Sequence, residues 1–86
     1  MPDSTSAISA RLQQLLIALN ISSAELCRQT GMAANRWSQY VNGERRITLD
    51  AATLLSKHYG VSLDWLYLGD ESGLPLRIVQ KLPRAA

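Results

Sequence analysis

The stretch SSAELCRQTGMAANRWSQYVNG, residues 22–43, decides how this chain folds. Gly31 lies near its middle, where glycine tolerates the positive φ angle of a sharp turn. Ser22 and Glu25 have the spacing of a capping box, which predicts that a helix begins directly after Ser22. The Asn-Gly pair at 42–43 is a stop signal for a second helix. The stretch therefore predicts two short helices joined by a tight turn.

Apolar side chains recur within this stretch at helical spacing. Leu26 and Cys27 share a face of the first predicted helix, and Trp37 and Tyr40 lie three residues apart on the second. Helices this short are stable only when they pack on each other and on a third element. We therefore interpret Trp37 and Tyr40 as core residues and Cys27 as a small, buried, inert thiol.

Capping residues and apolar periodicity predict five short helices along the chain. Their expected ranges are 7–19, 23–30, 34–41, 49–59 and 63–68. The expected caps of the first, fourth and fifth helices are Ser6, Thr48 and Ser62. No segment between residues 6 and 69 is typical of a strand. The predicted fold class is all-α: a compact bundle of five short helices, with a central helix-turn-helix formed by helices 2 and 3 and a short C-terminal tail.

The C-terminal residues depart from the helical pattern. Within residues 74–82, apolar side chains alternate with other residues, at Leu74, Leu76 and Ile78. Two interpretations stay open: an extended arm that pairs with a second copy of the chain, or a disordered tail. We divide the chain accordingly into a domain of residues 6–70 and a basic tail of residues 71–86.

The composition excludes several classes of function. With 86 residues, the chain forms one small domain with a modest core. Its one cysteine and one histidine exclude an intrachain disulfide and disfavour a metal site of the Cys/His kind. No paired carboxylates, second histidine or glycine-rich phosphate loop suggest catalysis, so we expect no enzyme activity and no cofactor. The sequence has neither a signal peptide nor a bilayer-spanning apolar run, so we expect a cytoplasmic protein without membrane contact.

The distribution of charge is more informative than the net charge of +2. Within or just after residues 22–43 lie four arginines, namely Arg28, Arg36, Arg45 and Arg46. Clustered positive charge favours contact with phosphates. Two short helices around a tight turn are also the layout that places a helix in the major groove of DNA. Charge and layout together indicate double-stranded DNA as the partner.

Four segments, in this order and spacing, resemble the lambda-repressor-like helix-turn-helix family, also called Cro-type or Xre-type. They are ISARLQQLL (8–16), SSAELCRQTG (22–31), NRWSQYVNGERR (35–46) and GVSLDWLYLGD (60–70). The resemblance implies a five-helix fold whose third helix reads base edges. It also implies a transcriptional regulator that acts as a homodimer on palindromic operators, in the cytoplasm at the nucleoid.

The resemblance also assigns residues to the interface. The base-reading residues on helix 3 would be Ala34, Asn35, Arg36, Ser38 and Gln39. The DNA backbone would be contacted from helix 2 and the loop after helix 3, by Ser22, Ser23, Arg28, Asn42, Arg45 and Arg46. Side-chain chemistry agrees, because amides match the adenine edge and arginine matches the guanine edge. Serine hydroxyls at a helix start bind phosphate oxygens.

Two departures from the family pattern bear on specificity. Ala33 stands where a serine or threonine usually caps the recognition helix, and loss of such a cap costs about 0.5–2 kcal/mol. Ala34 offers only a methyl group, which suits the methyl group of thymine. Two functions therefore stay open: a DNA-binding regulator, acting as a repressor, or an antitoxin-like or accessory module that binds a protein through its tail and has weak DNA specificity.

Overall fold

The computed structural model describes residues 3–83, and the secondary structure within that range is helical. Its five main helices are α1 (Thr5–Leu19), α2 (Ser23–Thr30), α3 (Ala34–Val41), α4 (Leu49–Tyr59) and α5 (Leu63–Leu68). A 3₁₀ turn at Glu71–Gly73 precedes one further helical turn, α6, at Leu76–Val79. The predicted all-α class is confirmed, and helices 2 to 5 have the predicted boundaries.

Side-chain hydroxyls fix the starts of four helices. As predicted, α2, α4 and α5 are capped by Ser22, Thr48 and Ser62. The start of α1 differs from the prediction, because Ser4 rather than Ser6 is the cap. Ser4 Oγ accepts a hydrogen bond from the Ala7 N–H at 3.1 Å, so the helix begins at Thr5.

The core lies where α1 packs against α3, α5 and α6. Trp37 of α3 and Trp65 of α5 are each 1% exposed and belong to this core. Leu12 of α1 and Leu26 of α2 belong to it too. Burying a large apolar side chain contributes about 1.5–3 kcal/mol. The predicted core role of Trp37 is confirmed, as is that of Tyr40.

Residues 74–82 fold back onto the bundle. Their buried side chains are Leu74, Ile78 and Leu82, and α6 contacts α1. Ile78 lies within α6, whereas Leu74 has an extended backbone before it and Leu82 follows it. The described part of this segment is therefore partly helical and packed, rather than extended or disordered, and its pairing with a second copy stays a prediction. The end of the predicted basic tail, residues 84–86, lies outside the described residues.

Neither a membrane span nor a metal cluster is found among residues 3–83. No helix there combines the length and the apolar character needed to cross a membrane. No group of three or more His, Cys, Asp or Glu side chains in this range is placed to hold a metal ion.

Candidate nucleic-acid interface

Helix α3 presents two faces of different chemistry. Its buried face consists of Trp37, Tyr40 and Val41. Of the five residues predicted to read bases, Gln39 is half-buried and the other four are exposed. The major groove of DNA is wide enough to admit an α-helix. The exposed face of α3 is thus available to enter it, while the buried face anchors the helix to the core.

A groove of about 300 Å³ separates α2 from α3. Ser23 of α2 and Ser38 and Asn42 of the α3 end contribute its polar groups. Ala34 and Cys27 contribute to its apolar lining. Two residues predicted to contact the DNA backbone, Ser23 and Asn42, thus share this groove with two residues predicted to read bases, Ala34 and Ser38.

Cys27 is less buried than the sequence suggested. It is half-buried on the wall of this groove, so the prediction of a buried thiol is wrong. Partial burial raises the pKa of the Cys27 thiol, because desolvation disfavours the thiolate. The thiol therefore stays protonated at neutral pH, where thiols react slowly.

Two side chains of α1, which the sequence analysis did not identify, hold the C-terminal end of α3. Ser9 Oγ donates to the carbonyl oxygen of Val41 at 2.7 Å, and Gln13 Nε2 donates to the same oxygen at 3.0 Å. Val41 ends the helix, so its carbonyl has no partner within α3. The signal in the sequence was Ser9 itself, a polar residue beside the apolar stripe of α1. α1 thereby holds the C-terminal end of α3 in place.

The N-terminal end of α3 is held less firmly. Ala33 makes no side-chain capping hydrogen bond, so the predicted loss of a cap is confirmed. The N–H groups of the first turn of a helix have no partners within the helix. They carry partial positive charge, which favours anions such as phosphate.

Ser9→Ala is expected to lower the free energy of unfolding by about 1 kcal/mol, since a buried hydrogen bond to Val41 is lost. Urea denaturation followed by circular dichroism measures this change. Ser6→Ala is the matched control, because Ser6 lies exposed on the same helix and should change stability by less than about 0.5 kcal/mol. Equal effects of the two substitutions would contradict the role given to Ser9.

The arginines predicted to contact DNA differ in whether other groups of the protein already bind them. Arg28 forms an ion pair with Glu25, whose carboxylate also accepts from Gln29 Nε2 at 3.0 Å. Exposed pairs of this kind contribute only about 0–1 kcal/mol, so a phosphate can compete for Arg28. Arg36 and Arg45 are exposed and make no ion pair within the described chain.

Arg46 is engaged within the fold. Its guanidinium lies 5.2 Å from the centre of the Tyr67 ring and donates to the carbonyl oxygen of Asp3. The Tyr67 hydroxyl in turn donates to the carbonyl of Ile47 at 2.9 Å. Burial raises the pKa of Tyr67, and the charge of Arg46 opposes that rise. Arg46 therefore joins the loop after α3 to α5.

Comparison with known proteins identifies the family. Residues 12–66 match the family HTH_3, described as helix-turn-helix. This range covers more than half of the chain, from within α1 into α5, and it includes both α2 and α3. No curated protein and no solved structure matched the chain. The chain therefore belongs to the lambda-repressor-like helix-turn-helix family of DNA-binding regulators.

Proposed function

We propose that this protein is a transcriptional repressor that binds a palindromic operator as a homodimer, with α3 in the major groove, on nucleoid DNA in the cytoplasm. The observation that carries the proposal is the anchoring of α3 along its inner face and at its C-terminal end. Trp37 anchors its inner face, and Ser9 fixes its C-terminal end through the Val41 carbonyl. Pre-ordering of a binding element lowers the entropy lost when the complex forms.

The proposed base-reading residues are Ala34, Asn35, Arg36, Ser38 and Gln39. The proposed backbone contacts are Ser22, Ser23, Arg28, Asn42, Arg45 and Arg46. Arg45 is the strongest candidate for phosphate contact, because it is exposed and forms no ion pair in the part of the chain described. Arg46 contributes its charge from a fixed position over Tyr67.

The test is selection from a random duplex pool at two salt concentrations, about 50 and 200 mM. We expect binding to weaken steeply with salt, because phosphate contacts release counterions. We expect the retained duplexes to share a two-fold symmetric motif with half-sites about 10 bp apart. Enrichment of a single half-site would contradict the homodimer, and absence of binding at low salt would contradict the DNA-binding function.

Arg45→Ala and Gln39→Ala are expected to weaken binding in different ways. Arg45→Ala should weaken binding to all sequences alike and reduce the salt slope by about 1, because it removes one phosphate contact. Gln39→Ala should relax the preference at one base pair, by about 1–3 kcal/mol. Titration of both variants against the selected duplex and its single-base variants distinguishes these effects. A base-specific effect of Arg45→Ala would show that the residue assignment is wrong.

One observation favours the alternative function, an antitoxin-like or accessory module with a protein partner. Leu76 of α6 is 69% exposed, although Leu74 and Ile78 on either side of it are buried. The substitution Leu76→Lys tests this surface. Light scattering measures the mass of the variant, purified under native conditions, for comparison with that of the wild-type protein. Loss of a co-purifying subunit with unchanged DNA binding would support the accessory module. A homodimer that becomes a monomer would instead place Leu76 in the dimer interface.

A further inference from the structure

Ser38 and Asn42 form a hydrogen-bonded pair one helical turn apart, at the C-terminal end of α3. Asn42 Nδ2 donates to Ser38 Oγ at 3.1 Å, and both residues are exposed. A serine hydroxyl has one proton to donate and lone pairs that accept. Asn42 therefore occupies an acceptor position of Ser38 and leaves the hydroxyl proton of Ser38 to be donated elsewhere.

The proton of Ser38 has no acceptor among the residues described. Serine and threonine in helices often donate to the carbonyl four residues earlier. Thr30 of α2 does so, donating to the carbonyl of Leu26 at 2.8 Å, whereas Ser38 makes no such bond within residues 3–83. Ser38 thus presents an outward hydrogen-bond donor on the exposed face of α3.

Ala34 lies one turn before Ser38, so the two side chains are neighbours on the helix surface. Both line the groove between α2 and α3. The pair therefore combines a methyl group with an adjacent hydrogen-bond donor. Among the four bases, thymine alone presents a methyl group beside an acceptor, O4, in the major groove. Cytosine presents an amino donor at the same place, and the purines lack the methyl group.

We propose that Ala34 and Ser38 together read one thymine in each half-site, and that Asn42 is the positioning residue that holds the Ser38 hydroxyl as a donor. This inference rests on the proposed function, in which α3 enters the major groove. Asn42 keeps a second N–H of its amide for a phosphate, so its positioning role is compatible with a backbone contact.

Two modified bases test the two contacts separately. The experiment uses the full chain and the duplex that it selects, with each thymine replaced in turn. Deoxyuridine lacks only the methyl group, and 5-methylcytosine, paired with guanine, keeps the methyl group but replaces O4 by an amino donor. At one thymine in each half-site we expect deoxyuridine to weaken binding about fourfold. At the same position we expect 5-methylcytosine to weaken binding roughly tenfold.

The variants should remove these penalties selectively. Ala34→Gly should abolish the deoxyuridine penalty and keep the 5-methylcytosine penalty, whereas Ser38→Ala should do the reverse. Asn42→Ala should reduce the 5-methylcytosine penalty at this position to about threefold or less, because the hydroxyl is no longer held as a donor. Asn42→Asp should abolish that penalty, because an ionised carboxylate can only accept hydrogen bonds. The Ser38 hydroxyl then donates to residue 42 instead of to the base.

For each variant, the ratio of its affinities for two duplexes separates the positioning of Ser38 from a general weakening of DNA binding. Arg45→Ala is the control, because it should lower every affinity and leave the ratios unchanged. Unchanged ratios in both Asn42 variants would overturn the positioning role, and the lack of any thymine with both penalties would overturn the thymine contact. If the wild-type chain bound no duplex, the proposed function itself would fail, which is a distinct outcome.

Discussion

Trp37→Ala is expected to lower the free energy of unfolding by about 3–5 kcal/mol, the usual cost of removing a buried aromatic side chain. Trp37 is 1% exposed and joins α3 to the core. A domain of this size has a total stability of roughly 5–15 kcal/mol, so the variant should be largely unfolded at moderate urea concentrations. Urea denaturation followed by far-UV circular dichroism measures the loss, and DNA binding should disappear with the fold.

Trp37→Phe is the matched control for this substitution. The indole Nε1 of Trp37 is buried and has no hydrogen-bond partner among the described residues. An unpartnered buried donor costs about 1–3 kcal/mol, and phenylalanine removes it while filling most of the space. We expect a loss below about 1.5 kcal/mol. A loss as large as that of the alanine variant would show that the indole N–H makes a stabilising hydrogen bond.

Ile78→Ala is expected to lower the free energy of unfolding by about 2–4 kcal/mol. Ile78 is 2% exposed in α6, where it packs in the core with residues of the main helices. The expected result is one cooperative transition at a lower urea concentration, because the C-terminal segment unfolds together with the bundle.

Leu76→Ala gives the comparison for Ile78, because it removes the same kind of side chain two residues away in α6. Leu76 is largely exposed, so its loss should change stability by less than about 0.5 kcal/mol. If both variants had equally small effects, the C-terminal segment would not be part of the cooperative core.

The helix boundaries could be predicted where local signals act alone. Ser62 and Gly69 bracket α5, and in the structure Ser62 caps it while Gly69 adopts a φ of 79°. Ser4 and Ser6 are equivalent candidates by the same local signals, so the start of α1 could not be decided from them. Capping by Ser4 lengthens the helix and allows the Ile8 N–H to donate to the Ser4 carbonyl at 2.9 Å.

Tertiary contacts account for what the sequence could not predict. Leu74, Leu76 and Ile78 alternate as in a strand, and only the packing of the segment against α1 shows that Leu74 and Ile78 are buried while Leu76 is exposed. Ser9 contacts a carbonyl 32 residues away along the chain, so its polar character within α1 does not show which group it binds. The exposed face of α3 was predictable, because apolar periodicity identifies the buried face and hence its opposite.

Within residues 3–83, helix α3 is held by side-chain hydrogen bonds at its C-terminal end only. Its C-terminal end is clamped by Ser9 and Gln13 through Val41, whereas its first turn starts from the uncapped Ala33. In the proposed complex, we expect side chains near the clamp to meet the DNA at fixed positions, whereas Asn35, near the free end, follows local differences in groove width. In the proposed half-site, we therefore expect strict base identity opposite Ser38 and Gln39 and tolerance of variation opposite Asn35. On the proposed function, we expect the protein to bind a set of related operators whose order of affinity follows the bases opposite Ser38 and Gln39.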